Sequence, residues 1–320
     1  MKDIVFYNLD FEKLYILPQC SGSIGYTSCN AQKVMNGLGS IEFVFYDNAL
    51  EKIIKQNRDG LMMEWNGLFW LFCAYREESK GTRVTGESLN GLLRRSVIPN
   101  LTADALAFKW FMEKTVLPNI PWLEYFYSEN DNIFVDFNTT TYMTADEFFD
   151  KLFSALDVGY EITADVKNKK FVLHTIHQQK TELLLSDDLL NIYDYSETYI
   201  NRSVAYGGWY SDVTADGSSR IWQYITLKHE LSGIDKIDVV LKSTNYTDAI
   251  QELKAMKAKT EVEFKTKNIE FRKDYNLGNI VRVQNKQSFA NRCVSGVIMS
   301  QENGYIENPI FSEVKDNDDI

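Results

Sequence analysis

Histidine is scarce among the side chains able to do chemistry: His174, His177 and His229 are the whole set. The first two stand three apart in L-H-T-I-H, inside a run that alternates as a strand. That spacing sends them to opposite faces, so they make a poor metal pair, and no third ligand is apparent. The sequence contains no H-E-x-x-H, no G-x-S-x-G elbow, no G-x-x-x-x-G-K-S/T loop and no D-x-D-x-D-G calcium loop. Gly22-Ser23-Ile24-Gly25 precedes no helical pattern and reads as a loop, not a phosphate cradle. Carboxylates are abundant, including Asp187-Asp188 and Glu161 with Asp165, and a glycosidase needs only two of them close together. With 45 acidic residues, however, such pairs arise by chance, and a solvated acidic face is the stronger reading. Trp65, Trp70, Trp122, Trp209 and Trp222 could form a glycan-stacking platform, but only if several share one exposed face; Trp65 and Trp70 sit among apolar strand residues, where packing explains them. No catalytic, cofactor-binding or metal-binding residue is nominated, and no cofactor is expected.

Cys20, Cys29, Cys73 and Cys293 contain no C-x-x-C pair, so zinc or redox work is not indicated. Cys20 and Cys29 are near enough to bridge across a hairpin; a reduced set of thiols is the simpler expectation. The formal net charge of -11 argues against sequence-independent nucleic-acid binding, which needs a basic footprint. Short basic runs, Arg94-Arg95 and Lys265-Thr266-Lys267, read as solvated faces. The start, MKDIVFYNLDFEK, has acidic residues within its apolar run and does not read as a signal peptide, and no apolar stretch reaches transmembrane length.

The elements that would position these groups fall into three blocks. Residues 1–100 read as short strands: Ile41, Phe43 and Phe45 alternate, and Asn66-Gly67 joins Leu61 to Trp65 with Leu68 to Tyr75 as a hairpin. A helical turn carries Leu50, Ile53 and Ile54, and a short helix follows Ser88 with Leu89, Leu92 and Leu93 on one side. Residues 101–190 read as an α/β block. Thr102 is expected to cap a helix through Leu117 with Leu106, Trp110 and Phe111 as its stripe. Thr144 to Glu147 form a capping box for a second helix that Gly159 ends, and a hairpin runs from Tyr160 to His177. Residues 191–320 return to strands, with Gly207-Gly208 as a break, one helix from Thr247 to Lys257, and an acidic end. Within this block Phe271 to Val283, FRKDYNLGNIVRV, reads as strand, polar turn and strand.

Two segments carry a resemblance. Val84-Thr85-Gly86-Glu87-Ser88-Leu89 with Leu92, Leu93, Arg94 and Arg95 is similar to the "V-T-G-R-S-L-x-x-L-L-x-x-R" segment of the tail-hub proteins of siphophages and prophages, departing at Glu87. Asp274 to Val283 is similar to their "D-F-x-L-G-D-x-V-x-V" signature, departing at Tyr275 and Asn279. The capped helix leading into Val158-Gly159-Tyr160, and Asn201 to Gly207, resemble family segments in the same order. The resemblance implies a mainly β fold with an α/β insertion: two small tube-type β-barrel domains, 1–100 and 191–320, flanking 101–190. It further implies a non-enzymatic structural hub of the virion tail tip or baseplate, assembled in the bacterial host cytoplasm. The hub would be a homotrimeric ring with other tail proteins as partners, namely the distal tail or tube ring and tip or fibre proteins. A cell-wall hydrolase and a glycan- or receptor-binding module are the alternatives.

Overall fold

The computed structural model describes residues 2–19, 25–57, 59–79, 81–186, 189, 192–200, 205–213, 220–227, 237–256, 259–285, 288–302 and 304–314. It divides into two compact units, Met1–Tyr193 with Lys265–Ile320, and Asp194–Phe264.

Seven strands open the first unit: β1 (Ile4–Asn8), β2 (Lys13–Leu17), β3 (Gly25–Val34), β4 (Ser40–Tyr46), β5 (Leu61–Trp65), β6 (Leu68–Glu78) and β7 (Gly81–Ser88). In β4 the alternation holds, with Ile41, Phe43 and Phe45 buried and Ser40 and Tyr46 exposed. Helix α1 (Asn48–Asn57) buries Leu50 and Ile54, and the Ala49 N–H donates to the Asp47 carboxylate at 2.8 Å. Asn66 and Gly67 take φ of 55° and 68°, the two left-handed residues a tight hairpin turn requires. A 3-10 helix, Leu89–Arg95, then buries Leu89, Leu92 and Leu93.

The α/β block departs from expectation at its start. Thr102–Ala107 is a strand, β9, after the short β8 (Val97–Ile98), so Thr102 caps nothing and Leu106 belongs to a strand. The helix begins at α2 (Phe108–Phe111) and continues through a π-helical turn, Met112–Val116, and a 3-10 turn, Leu117–Asn119. The cause is tertiary: β9 pairs with β11 (Phe134–Asn138), which follows β10 (Leu123–Phe126), and local propensity carries no trace of a partner so distant. After β12 (Met143–Thr144), helix α3 (Ala145–Ala155) buries Phe148, Phe149, Leu152 and Phe153, as its periodicity requires. Its ends differ from the expected ones. The Thr144 side chain makes no capping bond; the Ala145 N–H donates to the Ser96 carbonyl at 2.9 Å instead. At the other end Asp157 takes the left-handed conformation, φ 55°, and the Val158 N–H returns to the Phe153 carbonyl at 3.0 Å, so Asp157 ends the helix and Gly159 opens the next strand.

That strand, β13 (Gly159–Asp165), pairs antiparallel with β14 (Lys170–Ile176), which pairs parallel with β10. β15 (Gln179–Ser186) leaves the block. The second unit follows. It holds β16 (Ile192–Ile200) paired with β20 (Lys259–Thr266), and a three-stranded sheet of β17 (Gly207–Val213), β18 (Arg220–Thr226) and β19 (Asp238–Val240). Helix α4 (Tyr246–Ala255), capped by Asn245, packs Ala249 and Leu253 against Tyr210, Ile225 and Leu241. Gly207 and Gly208 lie inside β17 and are no break. Residues 201–204, 257, and 315–320 of the acidic end lie outside the described residues.

The first unit resumes with β21 (Asn279–Asn285), β22 (Ser288–Gln301) and β23 (Tyr305–Glu313). These join the opening strands in one eleven-stranded sheet, in the order β15-β21-β22-β3-β4-β7-β6-β5-β1-β2, with β23 on β22. The mainly β character is as expected. Among the described residues, however, this sheet is an open path and no sheet closes into a barrel. Tyr7, Met62 and Leu71 of the sheet share a core cluster with Phe108, Phe149, Phe153 and Leu173 of the α/β block.

Candidate functional site

The stretch FRKDYNLGNIVRV and the histidine pair meet at a cleft of about 460 Å³ in the first unit, lined by residues that include Glu161, His174, His177, Arg272 and Asn279. Phe271 lies in no extended strand. It makes one isolated bridge to Tyr275, because its N–H and that of Glu270 donate to the Glu307 and Asp274 carboxylates at 2.6 and 2.8 Å, and Arg272 takes φ 68°. The second strand, β21, is as expected. Between them Gly278 has φ 81°, and a Cβ there would stand 2.7 Å from the His177 carbonyl oxygen. Its N–H donates to the Val294 carbonyl at 2.8 Å, and its carbonyl accepts from the Gln179 N–H at 3.0 Å. Glycine is required on both counts, conformation and approach.

Strand register places the polar groups. Glu161 lies directly opposite His174, so both face the cleft, while Tyr160, Ile162 and Leu173 face the core. Lys33, on β3, sends its Nζ to Glu161 Oε2 at 2.8 Å; the lysine side chain is 5% exposed and the glutamate 21%. Burial pushes the Glu161 carboxyl up, but the Lys33 charge and hydrogen bond outweigh it and hold the group below its ordinary range. His174 Nε2 is 3.0 Å from Thr163 Oγ1, and its ring centroid is 5.2 Å from that of Phe126. Burial, opposed by Glu161, lowers its pKa and keeps the ring neutral.

His177 has a different partner. Its Nε2 is 2.6 Å from Asp131 Oδ1, and since a carboxylate only accepts, the Nε2–H tautomer is the donor. Asp131, buried in a 3-10 turn, also accepts from the Thr175 and Tyr125 hydroxyls, both at 2.5 Å, and from the Ser128 N–H at 2.8 Å. Burial raises its pKa, yet these donors together bring it below the ordinary value. The two histidines are thus committed to separate polar anchors.

These anchors hold sheet to sheet. The Ile162 N–H donates to Asn90 Oδ1 at 2.9 Å, and the Asn90 amide donates to the Gly37 carbonyl at 3.0 Å, so β13 is fastened to the segment after β7 as well as to β3. Arg94, from the expected V-T-G-E-S-L segment, bridges Glu87 and Asp146 at 3.1 and 3.3 Å, linking that segment to the first turn of α3. Glu87, where the resembled segment has Arg, is therefore an ion-pair partner.

Other candidate residues are dispersed. Asp165 accepts from Asn168 at 2.7 and 3.0 Å within its own hairpin turn and is not paired with Glu161. Cys29, Cys73 and Cys293 are free thiols. Trp65 and Trp70 are buried, whereas Trp209 and Trp222 are exposed. Cys20, Gly22-Ser23-Ile24, Asp187-Asp188 and His229 lie outside the described residues. Lys33, Asn90 and Asp131 went unnoticed in sequence; only Asp131 left a local signal, the S-E-N-D turn in which its carboxylate accepts from the Ser128 N–H.

No family model and no curated protein matches the chain. Solved structures do. The 43 kDa tail protein of prophage MuSo2 from Shewanella oneidensis superimposes with a TM-score of 0.61 at 12% identity, covering 97% of this chain and 98% of that one. A tail protein from Neisseria meningitidis MC58 gives 0.59 at 11% identity over 97% and 96% of the two chains. A prophage tail protein from Listeria monocytogenes EGD-e gives 0.56 at 12% identity over 98% and 95%. Along nearly its whole length, the chain has the fold of these tail proteins.

Proposed function

We propose that this chain is a structural hub subunit of a phage or prophage tail tip or baseplate, three copies closing into a ring that continues the tail tube and mounts distal tip or fibre proteins. The observation that carries the reading is the end-to-end agreement in fold with three tail proteins, each matched over at least 95% of its own length. The large sheet supports it. Among the described residues one end of its path is β2, and an edge strand invites pairing with another chain. Unlike surfaces meeting around a rotation axis make a closed ring. In this reading 1–100 and 191–320 supply the two tube-type β domains, and 101–190 is the α/β block between them. The acidity of the chain suits a conduit that must not retain nucleic acid.

The cleft favours a structural over a hydrolytic role. A glycosidase acid must hold a proton near neutral pH, so its pKa is raised. Glu161 and Asp131 are held down by donors that fasten strands together. Light scattering combined with negative-stain imaging tests the hub: the expected result is three times the chain mass and a ring, and a strict monomer at high concentration, alone and with purified tail-tube protein, overturns it. Cleared zones on cell-wall zymograms would overturn the non-enzymatic part.

A further inference from the structure

The second unit carries an exposed aromatic sheet face. In the β17–β18 register Trp209 lies opposite Tyr224 and Ser211 opposite Trp222. Opposed residues share a face, as do alternate ones, so these four side chains stand on one side of the sheet; β19 adds Val240 beside Trp209. The reverse side is already the core, with Tyr210, Ile225 and Leu241 packed on α4. The aromatic side is therefore not needed to bury the sheet, and Trp209 and Trp222 remain 45% and 60% exposed.

The surface is also shaped. A Cβ on Gly207 would stand 2.2 Å from the Tyr224 hydroxyl oxygen and 2.3 Å from Asp238 Oδ1. The missing side chain lets Tyr224 lie across the strand and donate to Asp238 at 2.9 Å, with its ring centroid 5.1 Å from that of Trp209. The exposed indoles of Trp209 and Trp222 thus share a face with the Asp238 carboxylate and the hydroxyls of Tyr224 and Ser211.

We propose that this face binds a neutral polysaccharide. A pyranose has an apolar C–H face that stacks on an indole and a rim of hydroxyls that needs acceptors and donors, and both are offered side by side here. Single-stranded nucleic acid also stacks on aromatic rings, but it requires a cationic groove along its backbone. Among the described residues this face holds Asp238 with Arg220, on a chain of net charge -11. A protein partner calls for an apolar patch centre from which charge is excluded, whereas here a carboxylate adjoins the rings.

The proposal is independent of the hub reading. Its test is isothermal titration of the full chain with neutral hexasaccharides of N-acetylglucosamine, glucose, galactose, mannose and rhamnose, with oligo-dT as the control. At least one sugar should bind in the millimolar range or tighter. Trp209→Ala and Trp222→Ala should each weaken it about tenfold, the value of one stacked ring, and Trp→Phe should recover part of the loss. Thermal melting confirms that the variants fold. Binding of oligo-dT in place of every sugar, sugar binding unchanged in the double Trp→Ala variant, or no sugar binding at all overturns the proposal.

Discussion

Replacing Lys33 by Met would leave the Glu161 carboxylate in the cleft wall without its counter-charge. Removing one member of a buried pair costs about 3–5 kcal/mol, because the remaining ion keeps its desolvation penalty and loses its compensation. Glu161 is 21% exposed and also feels the Arg272 charge, so the lower end, about 3 kcal/mol, is expected. For a unit of about 250 residues this corresponds to a drop in Tm of roughly 6–12 °C. Replacing both partners, Lys33→Met with Glu161→Leu, should restore most of the loss, since an apolar pair of similar volume carries no desolvation penalty. The assay is urea denaturation of the two single variants and the double, analysed as a cycle. The folded carboxyl of Glu161 lies below the ordinary glutamate value, so its stabilising contribution is complete above that value and is lost as pH falls through the lower folded value. Lys33→Met should flatten this acid limb. A loss below about 0.5 kcal/mol, typical of a surface pair, or a double variant as unstable as the sum of the singles, would refute the buried joint.

Other outcomes follow from the same geometry. Asp131→Asn should cost about 2–3 kcal/mol, because the amide leaves some of the four donors unpaired, and a melting curve unchanged from wild type would contradict the anchor role. Gly278→Ala should cost at least about 2 kcal/mol through its left-handed φ and the contact with the His177 carbonyl; a cost under half of that would count against the close approach. Among the described residues the buried Tyr275 hydroxyl has no hydrogen-bond partner, so Tyr275→Phe should stabilise by about 1 kcal/mol, measurable as a higher Tm. His174 is held below 6.5, so the unfolded chain takes up a proton there that the folded chain refuses. Stability should be full above about pH 6.5 and fall as the pH drops below it, and His174→Gln should reduce that slope.

Local pattern and tertiary context divided the chain between them. Where burial alone decides an element, the residues announce it: the alternation of β4, the Asn66-Gly67 hairpin, the stripe of α3 and the β-branched run of β21 all stand where their sequences place them. Thr102–Ala107 reads as a helix start and is a strand because β11 recruits it, and Phe271 reads as a strand and is not because carboxylates take its N–H groups. Glycines misled in the same way. Gly159 and Gly207 look like breaks but sit in strands where Met35 and Tyr224 leave no room for a Cβ.

The candidate sites show the same division. The sequence by itself placed His174 in a strand, since strand geometry is local; the opposite faces expected for His174 and His177 do not follow, because His177 stands past the end of β14 and lines the same cleft as His174. It also determined that FRKDYNLGNIVRV needs a glycine-bearing turn before a buried strand. Only the tertiary structure decided what those residues are for: it set Lys33 against Glu161 and brought Asp131 to His177. It also joined β22 to β3, making one open sheet of strands from both ends of the chain. Such pairings depend on which backbone edges and buried charges meet across long stretches of chain, and that information is held in the packing of the whole unit and not in the neighbours of any one residue.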